Sequence, residues 1–442
     1  MLAGHRDRRR KKDIRARFDP EQFQELLLGV IKGCVSAVPP ESVTVSSFDK
    51  DALMRTFNSN ADRLQFEQSS SVFLEILFVG GILDAGGNFE FPAIGKSPLS
   101  VIACADDKEI RHMVDIFLTI IARYRYMQDT LKETVERLLS LLIGLQANLT
   151  PEQISKLVTA FAMLCSSMRV PVSALSALLK GYLVKDGIAL KYLTAILKTM
   201  STLPAESAER EASGIDALTL SLRRSDLDTK LLEFFPENRR TYAELKSHFA
   251  AHNLSEITRH YLRVQQRRKR EELQARLEAN LRSESPVLAE CANIIKSYMP
   301  TAGGTNEDSL SETDVTLVVW NAIMRSVTWS SKSDLYEKQA LRQVKTNGKL
   351  LAFCTRSPTS ELALMNAVQM FCHEDQRFVR IFPQLVAILY NEDAVSSEAI
   401  RYWYDKGAVN KGREGFRKQV DTLLKQIESA EEDSDDEESD SE

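Results

Sequence analysis

Residues 150–165 read Thr-Pro-Glu-Gln-Ile-Ser-Lys-Leu-Val-Thr-Ala-Phe-Ala-Met-Leu-Cys. A hydroxyl that caps exposed backbone N–H groups, a proline whose fixed φ suits the first helical position and an acid in the first turn open a helix. Ile154, Leu157, Val158, Phe161, Leu164 and Cys165 then recur at three- and four-residue spacing, which puts one apolar stripe along it. Working outward, Asp19-Pro20-Glu21 precedes Phe23, Leu26, Leu27, Val30 and Ile31 in the same way. Over 110–124 the stripe is Ile110, Met113, Val114, Phe117, Ile120, Ile121 and Tyr124, with Arg111, Asp115 and Arg123 left outside it. A further amphipathic helix is expected over 131–145, Ser173 is a candidate cap for the next, and Asp186 precedes Leu190, Leu193, Ile196, Leu197 and Met200. Helix after helix across short connectors is the pattern of an all-α, HEAT-like or ARM-type helical repeat array, with an irregular helical bundle as the rival architecture.

Composition agrees with that reading. Glycine (18) and proline (13) together are about 7% of 442 residues, against about 12% in ordinary usage, so a sandwich or barrel built on many turns is disfavoured. The length calls for two domains or one long array. Charge is uneven: residues 1–17 carry eight Arg or Lys against Asp7 and Asp13, residues 427–442 carry ten acids and no base, and the net of -5 leaves the rest nearly neutral. We therefore expect a basic arm at 1–17, a helical domain at 18–252, a second at 253–430 and an acidic tail at 431–442. Proline and glycine at 84–107 and 299–312 mark loops. Without a signal-like or membrane-spanning apolar run, the expected location is cytoplasmic, with no membrane partner.

Chemistry-bearing motifs are scarce. We find no P-loop, G-x-G-x-x-G, H-E-x-x-H or G-x-S-x-G, and none of Cys34, Cys104, Cys165, Cys291, Cys354 and Cys372 forms a C-x-x-C pair, so neither an enzyme, a metal site nor a cofactor is expected. The cysteines read as reduced, mostly buried thiols. Gly80-Gly81 and Gly86-Gly87 read as helix termination and turn. His248, His252 and His260 lack metal-ligand company and read as surface or capping residues, and Cys372-His373 as core beside surface. The charged, glycine-free stretch 259–282 around Arg267-Arg268-Lys269-Arg270 predicts a long helix separating the two halves. Heptad positions from Leu273 fall on Asn280 and Val287, so a leucine zipper fails, and Leu273, Leu277 and Leu281 read as one face packed on its own domain. Direct nucleic-acid binding through Arg6 to Arg17 or Arg263 to Arg270 is the alternative function class.

Aromatic residues interleave with acids at Leu389-Tyr390-Asn391-Glu392-Asp393 and Ser397-Glu398-Ala399-Ile400-Arg401-Tyr402-Trp403-Tyr404, and acids return at Ile427-Glu428-Ser429-Ala430-Glu431-Glu432-Asp433. The expectation is that the aromatics anchor helices while the carboxylates project as one negative patch for a lysine-rich segment. These residues resemble the acidic-aromatic boxes of the W-two (two-tryptophan) domain, the carboxy-terminal module of translation initiation factor five and of the exchange-factor epsilon subunit. Arg17-Phe18-Asp19-Pro20 with Gln22-Phe23, Glu75-Ile76-Leu77 with Gly80-Gly81, Arg123-Tyr124-Arg125-Tyr126, Phe234-Phe235-Pro236, and Val318-Val319-Trp320 with Val327-Thr328-Trp329 extend the resemblance. Taken in order, they are similar to the initiation factor five mimic proteins, the basic leucine zipper and W-two domain family.

The resemblance implies two helical domains with a W-two domain at the carboxy terminus. It implies a non-catalytic regulator that binds initiation factor two, through a lysine-rich segment of its beta subunit, and initiation factor three within the ribosomal preinitiation complex. Such a protein competes with initiation factor five, tunes start-codon selection and represses initiation at poor or non-AUG codons. Partner binding carries over to Tyr390, Glu392, Asp393, Glu398, Trp403, Tyr404, Glu428, Glu431, Glu432 and Asp433, with acids binding and aromatics supporting. The chain departs from the boxes at Asn391 and Ser397, where acids are usual, and at Gln426, where the second tryptophan is expected. Ser429, Ser434 and Ser439 each have an acid three residues on and are candidate phosphorylation sites.

Overall fold

The computed structural model describes residues 18–35, 43–203, 214–283, 287–300, 309–332 and 335–439, with the backbone alone at 214–217 and 430–439. The basic arm at 1–17 lies outside the described residues. Between Tyr261 and Leu262 the chain divides into two compact units.

The amino-terminal unit is built from α1 (Pro20–Cys34), α2 (Lys50–Ser59), α3 (Ala61–Leu64), α4 (Phe66–Val79), α5 (Asp107–Arg123), α6 (Met127–Ser140), α7 (Leu142–Asn148), α8 (Pro151–Ser166), α9 (Gly181–Lys185), α10 (Ile188–Thr202), α11 (Gly214–Arg224) and α12 (Tyr242–Ala251). Local sequence sets the starts. Asp19 accepts the N–H groups of Glu21 and Gln22 at 3.1 and 3.4 Å. Thr150 and Gln153 cap α8 reciprocally, at 3.3 and 3.1 Å. All six apolar residues of the Ile154-to-Cys165 stripe are buried, and α8 packs on both α5 and α10. The architecture is all-α, with an isolated bridge between Leu83 and Phe89 as the extended element among the described residues.

Two local expectations need correction. The helix expected over 131–145 is two, broken at Leu141 between α6 and α7. The break lets the backbone at Gly144 meet the 84–88 turn, where a Cβ on Gly144 would lie 1.8 Å from the Gly86 carbonyl oxygen. Ser173 caps nothing: it sits inside the 3-10 run Val172–Leu179, wound around buried Ala174, Leu175 and Leu178. The glycine pairs do make helix end and turn, since Gly80 (φ +77°) closes α4 and Asp84 accepts from the Gly86 and Asn88 N–H groups.

Across this turn lies an ionic clamp whose acid is buried and whose arginine is half-exposed. Glu75, 1% exposed, accepts from the Leu83 N–H at 3.0 Å and from Arg137 at 2.7 Å, while Arg137 also donates to the Leu83 carbonyl at 2.8 Å. Burial pushes the Glu75 carboxyl above its ordinary pKa, with Arg137 opposing.

Helix α13 (Ser255–Leu281) contains the division. Leu273, Leu277 and Leu281 are buried in the core of the carboxy-terminal unit, as the four-residue spacing predicts. That unit continues through α14 (Leu288–Lys296), α15 (Glu312–Arg325), α16 (Tyr336–Cys354), α17 (Pro358–Glu374), α18 (Phe382–Asn391), α19 (Ser397–Tyr402) and α20 (Arg413–Ser439). Helix α15 packs on α16 and α17, α16 on α18, and α18 on α20. Trp320 is buried in this core. All six cysteines are free thiols and five are buried. Burial pushes Cys104, Cys165, Cys354 and Cys372 up to about 12, so these thiols are inert.

Candidate partner-binding face of the carboxy-terminal unit

The first acidic-aromatic stretch ends one helix and starts the next. Helix α18 terminates as the Asp393 and Ala394 N–H groups bond back to the Tyr390 and Leu389 carbonyls at 3.1 and 2.8 Å. Asp393 takes the left-handed conformation (φ +58°), which Asp tolerates better than most residues. Its side chain is exposed, whereas Glu392 is half-buried. Glu392 lies across Gly348 of α16, where a Cβ would sit 2.5 Å from its Cγ. Neither acid makes an ion pair with a described residue.

Helix α19 is fastened at its start by a residue the sequence reading missed. The Ser396 N–H and hydroxyl both donate to Glu361 on α17, at 2.7 and 2.6 Å, and Ser396 caps the Ala399 N–H. Glu398 in the first turn is exposed, with Ser397 donating to it at 3.3 Å.

At the other end of α19 the chain widens into a π turn, Trp403–Gly407. Trp403 is fully buried; its indole N–H donates to Gln369 at 3.1 Å, and its ring lies 5.3 Å from Phe382, itself 4.8 Å from Phe416. Gln369, also fully buried, donates to the Val409 and Lys411 carbonyls at 2.9 and 2.8 Å. Asn366 donates to the Gly407 carbonyl and accepts the Val409 N–H. Two amides of α17 thus hold the loop that aims α20. A partner cannot touch Trp403 here, so its part is to position. The missed signal was a glutamine on the apolar stripe of Leu364, Met365, Val368 and Cys372, all buried.

Helix α20 is joined to the π turn and to α19 at one further point each. Tyr404 donates to Asp421 at 3.1 Å, Lys425 pairs with Asp421 at 2.8 Å, and Arg417 stands 4.7 Å over the Tyr404 ring. Bonding from Lys425 and Tyr404 holds the Asp421 carboxyl below its ordinary pKa and raises that of the phenol. Arg401 pairs with Glu428 at 3.0 Å, bringing the two boxes together. The expected single negative patch is not what the described residues form. Glu414, Asp421 and Glu428 follow a seven-residue spacing on α20, and each pairs with a base (Arg417, Lys425 and Arg401). Along 397–429 seven basic residues stand against five acids; the excess of acid begins beyond Glu428. Tyr390 is half-buried against the core. Ser429 is exposed, its hydroxyl bonded to the Lys425 carbonyl at 2.8 Å. The side chains of Glu431, Glu432, Asp433, Ser434 and Ser439 lie outside the described residues.

Of the three histidines, His252 is the C-cap of α12 as expected, and the other two depart from expectation. His260 is not a surface or cap residue but stands 3.0 Å from buried Asp228, and His248 meets buried Thr194 at 2.9 Å. No group of His, Cys, Asp and Glu among the described residues could hold a metal ion.

Stacked helix pairs followed by a helical module with a pinned last helix and an acidic end make an all-α protein of the HEAT and W2 type. A family model described as the 5MP1/2 HEAT domain matches residues 7–271, and one described as eIF4-gamma/eIF5/eIF2-epsilon, W2, matches residues 360–437. Among curated proteins, eIF5-mimic protein 1 of Homo sapiens is 30% identical over 442 residues, covering 99% of this chain and 97% of that protein. Protein krasavietz of Drosophila melanogaster is 28% identical, over 99% and 96%, and eIF5-mimic protein 2 of Gallus gallus 26% identical, over 99% and 97%. The chain belongs to the eIF5-mimic protein family.

Proposed function

We propose that this chain regulates translation initiation in the cytoplasm without catalysis, as a docking competitor. The module at 253–430, with the acids that follow it, binds the lysine-rich segment of the beta subunit of initiation factor two, and the chain also engages initiation factor three. Occupying those contacts in the preinitiation complex displaces initiation factor five, tightens start-codon selection and represses initiation at poor or non-AUG codons. Membership in the eIF5-mimic family carries the reading, since the W2 model spans both acidic-aromatic boxes.

The face supplies the physical basis. Glu392, Asp393 and Glu398 carry no ionic partner among the described residues, and ten acids without a base at 427–442 set up a field that steers a polylysine segment. Tyr390, Trp403 and Tyr404 hold the helices, Glu428 pairs with Arg401, and Glu431, Glu432 and Asp433 add negative charge for the partner.

Titrating the full chain with the factor-two beta segment tests this. A variant combining Glu392→Lys, Asp393→Asn, Glu398→Lys, Glu431→Lys and Glu432→Lys should bind at least about tenfold more weakly, and wild-type binding should weaken as salt rises. Equal binding by both proteins, or salt-insensitive binding, removes the acidic docking site. Added initiation factor five should compete.

A further inference from the structure

In the amino-terminal unit a half-open cavity of about 450 Å³ lies between α10 and the end of α12. Lys191, Thr194 and Lys198 line it from α10, Arg239 from the 3-10 turn Glu237–Arg239, and His248 and His252 from α12 and its cap. Five of these six side chains are cationic or become so on protonation. The carboxylate nearest to Arg239 is Glu244, at 2.6 Å; it is the acid paired at this site. Lys191 and Lys198 are exposed and make no ion pair with a described residue, Lys191 instead standing 5.5 Å over the Tyr192 ring. The His248 and His252 rings are 4.8 Å apart. Burial, His252 and Arg239 together hold His248 below its ordinary pKa, with Glu244 opposing. His248 therefore resists taking up a proton in these surroundings. Glu244 answers one of the fixed cations, and the two lysines without an ion pair among the described residues make a field that favours a multivalent anion.

We propose that this cavity is an anion site that takes a phosphomonoester, presented as a phosphorylated serine or threonine side chain of a protein partner. A phosphomonoester is nearly dianionic at pH 7 and offers three acceptor oxygens. Two lysines supply the charge, and Arg239 and the two imidazoles, which are shared with Glu244 and Thr194, line the same concavity with further nitrogen groups. A phosphodiester brings one negative charge, and the sugar on each side of it would have to enter the same concavity.

The probe is inorganic phosphate, titrated into the full chain at constant ionic strength while the imidazole C–H signals are followed by NMR. We expect saturable shifts for the His248 and His252 signals and a rise in the apparent pKa of His248, because the bound anion stabilises its imidazolium. His373, which is exposed, serves as the unmoved control. A phosphoserine peptide should compete, and Lys191→Ala with Lys198→Ala, both solvent-facing substitutions, should weaken phosphate binding about tenfold. A non-saturating drift matched by chloride, or undiminished binding in the double variant, overturns the site. Displacement of phosphate by single-stranded RNA but not by the phosphopeptide overturns the protein-partner reading and assigns the cavity to nucleic acid.

Discussion

The Glu75–Arg137 clamp of the amino-terminal unit and the Arg401–Glu428 pair of the carboxy-terminal unit are both single carboxylate–guanidinium contacts, at 2.7 and 3.0 Å. Their surroundings differ. The Glu75 side chain is 2% exposed and also holds the Leu83 N–H, whereas Glu428 is 35% exposed and its arginine 56%. Burial makes the first acid part of the fold, because removing its partners leaves a charge or a donor with nowhere to turn. Exposure leaves the second close to balanced between partner and water. The same chemistry thus gives structure in one unit and an accessible charge in the other.

The comparison extends first to the Trp403–Gln369 network, which is buried like the acid of the clamp but uncharged. Trp403→Ala empties the space of a fully buried indole and orphans Gln369, so it should destabilise the carboxy-terminal unit by about 3–5 kcal/mol. Gln369→Leu keeps the volume but strips the Val409 and Lys411 carbonyls of their donor and should cost about 1–3 kcal/mol. Urea unfolding followed by tryptophan fluorescence measures the second variant, and circular dichroism both. Trp403→Ala at under about 1 kcal/mol would mean that α19 and α20 are not held through this network.

Glu75→Ala comes next, at about 2–4 kcal/mol, since the Leu83 N–H and the Arg137 guanidinium both lose their acceptor. The pH dependence distinguishes this acid from Glu312, which accepts from the Arg356 N–H and the Ser357 and Ser360 hydroxyls at 2.7, 3.0 and 2.5 Å. Glu75 has a raised folded pKa, so the folded state holds its proton longer and this residue's contribution falls as pH rises from about 4.5 through the raised value. Those hydrogen bonds hold Glu312 below its ordinary pKa despite partial burial, so its contribution is present above about 4.5 and is lost as pH falls through the lowered value. Stability–pH curves of Glu75→Gln and Glu312→Gln should therefore differ from wild type with opposite slopes. Parallel curves would show that burial does not separate the two acids.

These contrasts also mark what could be read from the amino-acid order. Asp19-Pro20 and Thr150-Pro151 announced their helices because a cap bonds only two or three residues ahead, and the apolar stripes of α5, α8 and α10 follow from helical period alone. The break at Leu141 could not be read, since it answers to Gly86, more than fifty residues earlier in the chain. For the candidate face, the residue types were legible and their pairing was not. Arg401 meets Glu428 because the π turn and the 407–411 loop fold the chain back, and Trp403 meets Gln369 because α19 and the π turn pack on α17. Exposed acids were therefore expected where α20 has ion pairs.

The smallest effect tests the other side of the comparison. A double-mutant cycle of Arg401→Ala and Glu428→Ala should give a coupling of about 0.2–1 kcal/mol in stability, shrinking in salt, against the several kcal/mol expected at Glu75. Its value for function lies in the sign of the binding change. If Glu428 is held by Arg401 in competition with a lysine of the partner, Arg401→Ala removes the internal competitor and a like charge together, so affinity for a lysine-rich segment should rise about two- to fivefold while stability barely moves. A fall in affinity instead would mean that Arg401 holds α20 where the partner needs it, and the pair would then belong with the Glu75 clamp as structure despite its exposure.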